Sequence, residues 1–252
     1  MLQIKNIFRI IVPLTFGIGF VMNSCKKENL GDCFKGTGTI ETRIREVSDF
    51  KNVIVKDKID LYVTQGPNYE VKIEAGKNLH MNIRTTVNNG TLTIENVNKC
   101  NFVRSPKKKI IAYVTLPYLR MVRNAGTGTL YFSNQFIQDS LDIRIANSGD
   151  VHASVNVQYF QTSTHGNGDL FVDGKANYSS HYTNGTNYVW MQDLIIQNQI
   201  DFNTTTVGEC YINAPLSGPM NVGIFEKGNV HYKGNPTAIN LTLMSKGVLI
   251  KD

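Results

Sequence analysis

The amino-acid sequence predicts an all-β protein whose C-terminal half winds as a right-handed parallel β-helix-like solenoid with about twenty residues per coil. Three observations carry this prediction. The 252 residues include 21 Gly but only 7 Pro, with Asn, Thr, Val and Ile between them, the composition of strands joined by tight turns. No 3.6-residue apolar period is sustained beyond the first two dozen residues, which excludes a helical class. Finally, Gly128, Gly149, Gly168, Gly185, Gly208, Gly228 and Gly247 recur at intervals of 21, 19, 17, 23, 20 and 19 residues, each followed by a short strand pattern.

Residues 1–24 read as an export signal. Lys5 and Arg9 form a positive n-region, and Ile10 to Met22 form an apolar run too short to be a convincing membrane span. Met22-Asn23-Ser24-Cys25 then sets a small residue before a cysteine, the pattern cleaved and lipidated during bacterial lipoprotein export. Lipid on Cys25 would hold the chain to a bilayer leaflet, with residues 25–35 as a polar tether. The expected location is the cell envelope, as an outer-membrane lipoprotein facing either the periplasm or the outside. The formal charge is +6, and removing Lys5 and Arg9 leaves +4, scattered and too mild for a nucleic-acid partner.

Export places the remaining cysteines in a disulfide-permissive compartment. Cys33 and Cys100 lie in polar, turn-like contexts and are expected to pair. Cys210 lies in an apolar strand pattern and reads as a buried free thiol. No spacing resembles a zinc site, and no cofactor is expected.

Residues 36–123 form an N-terminal β region, with strand patterns at 52–55, 59–64, 69–75, 91–95 and 110–116. Gly66-Pro67-Asn68 reads as a hairpin or coil turn. Asn89-Gly90-Thr91-Leu92-Thr93-Ile94 resembles the later glycine coils, so the solenoid is expected to begin before residue 90.

Residues 124–252 carry the repeat. Its glycine is expected to serve a turn position with positive φ. Alternation then points Leu130, Val151, Leu170, Cys210, Val230 and Leu249 inward. Their neighbours Tyr131, His152, Phe171, Tyr188, Tyr211 and His231 point outward as an aromatic and histidine stripe. Two roles fit such a stripe: ladder stacking or cover by another layer, and a surface for sugar or protein.

Asp150, Asp169 and Glu209 each follow a repeat glycine. In adjacent coils Asp150 and Asp169 would approach the separation of a retaining glycosidase pair, or hold Ca²⁺. The simpler role of such an Asp is to satisfy turn amides. His80, His152, His165, His181 and His231 are scattered and are expected at the surface. The basic run Arg104 to Lys109 reads as a solvated loop. No Gly-x-Ser-x-Gly elbow, P-loop or His-Glu-x-x-His is present.

Several stretches carry a family resemblance: Asp32-Cys33-Phe34-Lys35, Ile59-Asp60-Leu61-Tyr62-Val63-Thr64-Gln65-Gly66, Glu74-Ala75-Gly76-Lys77-Asn78-Leu79, Asn89-Gly90-Thr91-Leu92-Thr93-Ile94 and Asn98-Lys99-Cys100-Asn101-Phe102-Val103-Arg104-Ser105. They resemble the "putative auto-transporter adhesin, head GIN domain" proteins, exported lipoproteins of Gram-negative bacteria, over nearly the whole mature chain. The resemblance implies a β-helix-like fold, supports the pairing of Cys33 with Cys100, and transfers no catalytic residue. The function expected is non-enzymatic binding of a glycan or protein partner. The alternatives are a structural envelope component covered by oligomerisation and, third, a polysaccharide-active enzyme.

Overall fold

The computed structural model describes residues 36–98 and 109–252. The signal at 1–24, lipidation at Cys25, the tether, the Cys33–Cys100 bridge and the basic run as far as Lys108 lie outside the described residues. The described residues are all-β: eighteen strands and one 3-10 turn at His80–Asn82. They build a β-solenoid of about seven turns.

Two faces arise because side chains alternate and each coil pairs with the next. One face, the first, stacks parallel strands β7 (Ile110–Leu116), β3 (Ile59–Gln65), β9 (Leu130–Phe132), β11 (Val151–Gly166), β12 (Leu170–Gly185), β13 (Val189–Thr206), β14 (Cys210–Asn213), β16 (Val230–Lys233) and β18 (Leu249–Lys251). Its far end is closed by β4 (Glu70–Gly76) and β1 (Ile40–Arg45), both added antiparallel. The second face stacks β6 (Thr91–Asn96), β2 (Asn52–Asp57), β8 (Met121–Gly126) and β10 (Phe136–Ile145). It continues through the distal halves of β11, β12 and β13 into β15 (Pro219–Ile224) and β17 (Ala238–Leu243). The two strands expected in each middle coil are fused, so that β11, β12 and β13 run for 16, 16 and 18 residues around both faces.

Residues 36–123 and 124–252 share one continuous core. They differ in order of stacking. The coil of β2 and β3 inserts between that of β6 and β7 and that of β8 and β9, so the stack does not follow the chain. The solenoid does begin before residue 90, with β2 and β3 in the stack, but the Gly90 turn itself is not one of the later glycine coils it resembles. Asn89 and Gly90 have φ of 48° and 69°, and the strands on either side, β5 (Ile83–Asn88) and β6, pair antiparallel. This Asn-Gly is a hairpin turn, for which two successive positive φ values match the strand twist.

The repeat glycines correct an expectation. Gly128, Gly149, Gly168, Gly208, Gly228 and Gly247 are absent from the positive-φ residues. A Cβ on any of them would fall inside contact distance of a backbone carbonyl of the preceding coil, for example Gly128 O against Gly149 and Gly149 O against Gly168. Close approach of coils, rather than turn conformation, selects glycine. Gly185 does have positive φ (105°), but it belongs to another row, beside Gly166.

The residue in the repeat-glycine row is Asn187, because Leu170 pairs with Val189 and Val189 with Cys210. The anomalous 17 and 23 intervals thereby become 19 and 21, close to the others. Asn187 is fully buried and joins an internal polar ladder. Its Oδ1 accepts from Thr183 Oγ1 at 2.7 Å, and its Nδ2 donates to Thr164 Oγ1 at 3.1 Å and to Asn184 O at 3.0 Å. Most of the remaining core is apolar, with further polar side chains such as Asn124, Thr162, His181, Thr204 and Thr206 buried in it. Leu130, Val151, Leu170, Cys210 and Val230 are fully buried as expected, and Cys210 is a free thiol whose pKa burial pushes up to about 12.

Candidate functional site

The outward row beside this core is an aromatic ladder. In-register parallel stacking repeats about every 4.8 Å, so rings on successive coils meet face to face. Tyr131 to His152 is 5.2 Å between ring centroids, His152 to Phe171 4.5 Å, Phe171 to Trp190 6.3 Å, Trp190 to Tyr211 4.4 Å and Tyr211 to His231 4.7 Å. Planes tilt by 4° to 19° between these neighbours.

Five of the six expected stripe residues therefore share one row. Tyr188 does not: its register position belongs to Trp190, and Tyr188 flanks that indole at 6.4 Å. The cause is the assignment of Gly185 in place of Asn187. The ladder also runs on past Tyr131 through Tyr62 (4.9 Å) and Tyr113 (5.5 Å), because β3 and β7 stack there out of chain order. Each stacked pair contributes about 0.5–1.5 kcal/mol beyond its buried area. The same stacking occupies the ring faces, so the solvent meets mostly ring edges and phenol hydroxyls.

A shallow groove follows the ladder between β11, β12 and β13. It is lined by His152, Phe171 and Trp190 on the ring side and by Ser154, Asp173, Gln192 and Asp193 on the polar side. The register sets Asp173 directly beside Asp193, and Ser154 Oγ donates to Asp173 Oδ1 at 2.6 Å. Between Phe171 and Asp173 the pairing slips by one residue, giving β13 an extra residue there. Such a bulge bends the strand and re-aims its side chains. Gln192, in that bulge, has a buried Oε1 with no hydrogen-bond partner among the described residues. A buried acceptor left without a partner costs about 1–3 kcal/mol, which makes this atom a candidate contact for a ligand.

The acids after the repeat glycines have structural work. Asp150 Oδ1 accepts from the Asp169 N–H at 2.9 Å, and Asp169 Oδ1 accepts from the Tyr188 N–H at 2.8 Å. Burial, and then the charge of Asp150, raise the pKa of Asp169. Each carboxylate thus satisfies an amide of the next coil, the simpler of its anticipated roles. Asp60 does likewise for Thr129 and also pairs with Lys109 at 2.6 Å. Among the described residues no group of three His, Cys, Asp or Glu is placed to hold a metal ion.

Two histidines depart from the expected surface position. His80 is 1% exposed, with Nε2 3.0 Å from Glu41 O. His181 is 2% exposed, bonded through Nδ1 to Thr162 Oγ1 at 2.8 Å and packed between Phe160 and Phe202. Burial lowers its pKa to about 3, so it is neutral. His181 sits at an inward position of the alternating strand β12, whereas His80 opens the 3-10 turn, where Arg45 Nη2 donates to its carbonyl oxygen at 3.0 Å.

His231 ends the ladder and bridges two carboxylates, Glu209 Oε2 at 3.1 Å and Asp252 Oδ1 at 3.0 Å. Partial burial, the largest single influence, lowers its pKa, but the hydrogen bonds and charges of Asp252 and Glu209 together raise it above the usual value. A raised folded-state pKa stabilises fully below the unfolded value of about 6.5 and is lost as pH rises through the folded value. Melting of the protein and of His231→Asn should accordingly differ more at pH 6 than at pH 8.5. An equal difference at both would show that the bridge carries no charge.

A family model described as "putative auto-transporter adhesin, head GIN domain" matches residues 49–236. The chain is similar to the crystal structure of a putative adhesin from Bacteroides fragilis, with TM-score 0.76 and 22% identity over 86% of this chain and 100% of that one. It is also similar to a putative adhesin from Parabacteroides merdae (TM-score 0.64, 19% identity, 86% and 98% covered). A third similar structure is a putative lipid binding protein from Parabacteroides distasonis (TM-score 0.65, 20% identity, 85% and 97% covered). At these identities the likeness establishes the fold. No curated protein matches the chain.

Proposed function

The chain belongs to the "putative auto-transporter adhesin, head GIN domain" family, and on that premise we propose that it is a non-enzymatic, envelope-anchored binding protein that meets a glycan or protein partner along its aromatic ladder. The observation that carries this reading is the groove beside the ladder, lined by ladder rings, by Asp173 and Asp193 side by side, and by Gln192 with its orphaned Oε1. Ring edges with nearby acceptors suit a polyhydroxylated or amide-rich partner, which offers apolar C–H groups and donors together. Anchoring would come from lipid on Cys25, and the family and its structural neighbours favour the outside of the cell.

A second reading has its own support. Because the rings stack on one another, the ladder serves as a spine whether or not anything binds it. A structural or oligomeric envelope component would need no more. An enzyme acting on polysaccharide is less favoured, since Asp150 and Asp169 are engaged by backbone amides.

The test is a screen of the protein lacking residues 1–25 against a glycan array and a panel of extracellular-matrix proteins. Reproducible binding that falls about tenfold in Asp193→Asn or Gln192→Ala is expected, the loss of one buried or charged contact. Folded protein that binds nothing, or whose groove is hidden in a stable oligomer, would transfer support to the structural reading.

A further inference from the structure

The second face of the solenoid carries another groove, made of different residues. Arg123, Arg144, Ser163, Tyr182 and Asn203 form one outward row across β8, β10, β11, β12 and β13, each directly beside the next. All five line the groove. The first two are arginines paired in register on strands one spacing, about 4.8 Å, apart. Like charges set directly opposite on neighbouring strands destabilise a sheet. One carboxylate relieves them: Arg144 Nε and Nη2 donate to the same Asp142 oxygen at 2.9 and 2.6 Å. Arg123 is exposed and makes no ion pair among the described residues. The pair therefore has one positive charge in excess, aimed at solvent beside a groove.

Past the arginines the row changes character. Ser163 Oγ lies 2.9 Å from His165 Nε2, the Tyr182 hydroxyl lies 3.2 Å from Thr205 Oγ1, and Asn203 completes the line. These are neutral donors and acceptors at the spacing of successive coils, with the half-exposed Tyr182 ring among them. A single excess charge is too little for a polyanionic backbone, which is held by many phosphate contacts. A guanidinium pair matches one planar or tetrahedral oxyanion, and a row of hydroxyl and amide groups matches sugar hydroxyls.

We propose that this groove binds an acidic sugar residue, its oxyanion between Arg123 and Arg144 and its hydroxyls toward Ser163, Tyr182 and Asn203. The site shares no residue with the ladder groove, so either can fail without the other.

The experiment is an NMR titration of the purified protein with glucuronate, glucose and inorganic sulfate in parallel. Glucuronate is expected to shift the resonances of Arg123, Arg144 and Ser163, with affinity that weakens as salt is added. Arg123→Gln should weaken it about tenfold, the loss of one charge-assisted contact. Asp142→Asn should strengthen it, because the competing carboxylate is gone. Arg123 is exposed, so its replacement leaves the core intact. Glucose binding as tightly as glucuronate, or Arg123→Gln binding glucuronate as the parent does, would overturn the proposal. Sulfate matching glucuronate at the same residues would overturn the sugar and leave a bare anion contact.

Discussion

Gly149→Ala is expected to destabilise the protein by about 3 kcal/mol, the upper range for overpacking, and to lower its melting temperature by roughly 6–12 °C. The added methyl would fall against Gly128 O, with Asn124 Nδ2 and Gly126 O also within reach. Two of these three atoms are backbone and belong to paired coils, so relief requires moving one coil off another. Each coil buries its apolar face only against its neighbours, and a local separation therefore exposes core on both sides. Gly36→Ala is the control, since nothing lies within 4 Å of a Cβ there. Thermal melts of the two variants should separate clearly. Coincident melts would show that close coil approach is not what selects glycine in this row.

The second large effect is expected at Asn187, and its direction opposes the repeat. Asn187→Gly restores the residue used by six other coils, yet it removes the partner of Thr183 Oγ1, Thr164 Oγ1 and Asn184 O from a fully buried site. Leaving buried polar groups unpaired costs about 1–3 kcal/mol for each. Thr164 and Thr183 retain their mutual hydrogen bond at 2.6 Å, which limits the loss to about 2–3 kcal/mol. Asn187→Ala should cost the same or slightly less, since it loses the same contacts but keeps the Cβ the site already holds and avoids the backbone entropy of glycine. Chemical denaturation measures both. A neutral or stabilised Asn187→Gly would mean that the internal Thr and Asn ladder contributes nothing and that the row simply tolerates asparagine.

Much of the candidate site was legible in the residues. The period near twenty and strict alternation together place Tyr131, His152, Phe171, Tyr211 and His231 on one outward row, because in-register stacking leaves no other face for them. Trp190 was legible too, and was missed. It stands 19 residues after Phe171 and 21 before Tyr211, whereas the glycine at 185 lies only 17 after Gly168. Weighting interval regularity above residue identity would have chosen Asn187 as the row member and Trp190 as the ring. Tyr62 and Tyr113 left no comparable trace. Their coils stack in an order different from the chain's, and a period read along a sequence reports spacing but not which coil lies on which.

By itself, then, the sequence determined the all-β class, the coil period and the apolar interior, since these follow from local alternation and from turn residues at regular intervals. The tertiary structure decided the exchange of coils at the N-terminal end, the bulge that turns Gln192 into the groove, and the pairing of Arg123 with Arg144 across strands 21 residues apart. It also decided why the repeat needs glycine: the demand comes from a carbonyl on the neighbouring coil, an atom that only stacking brings within reach.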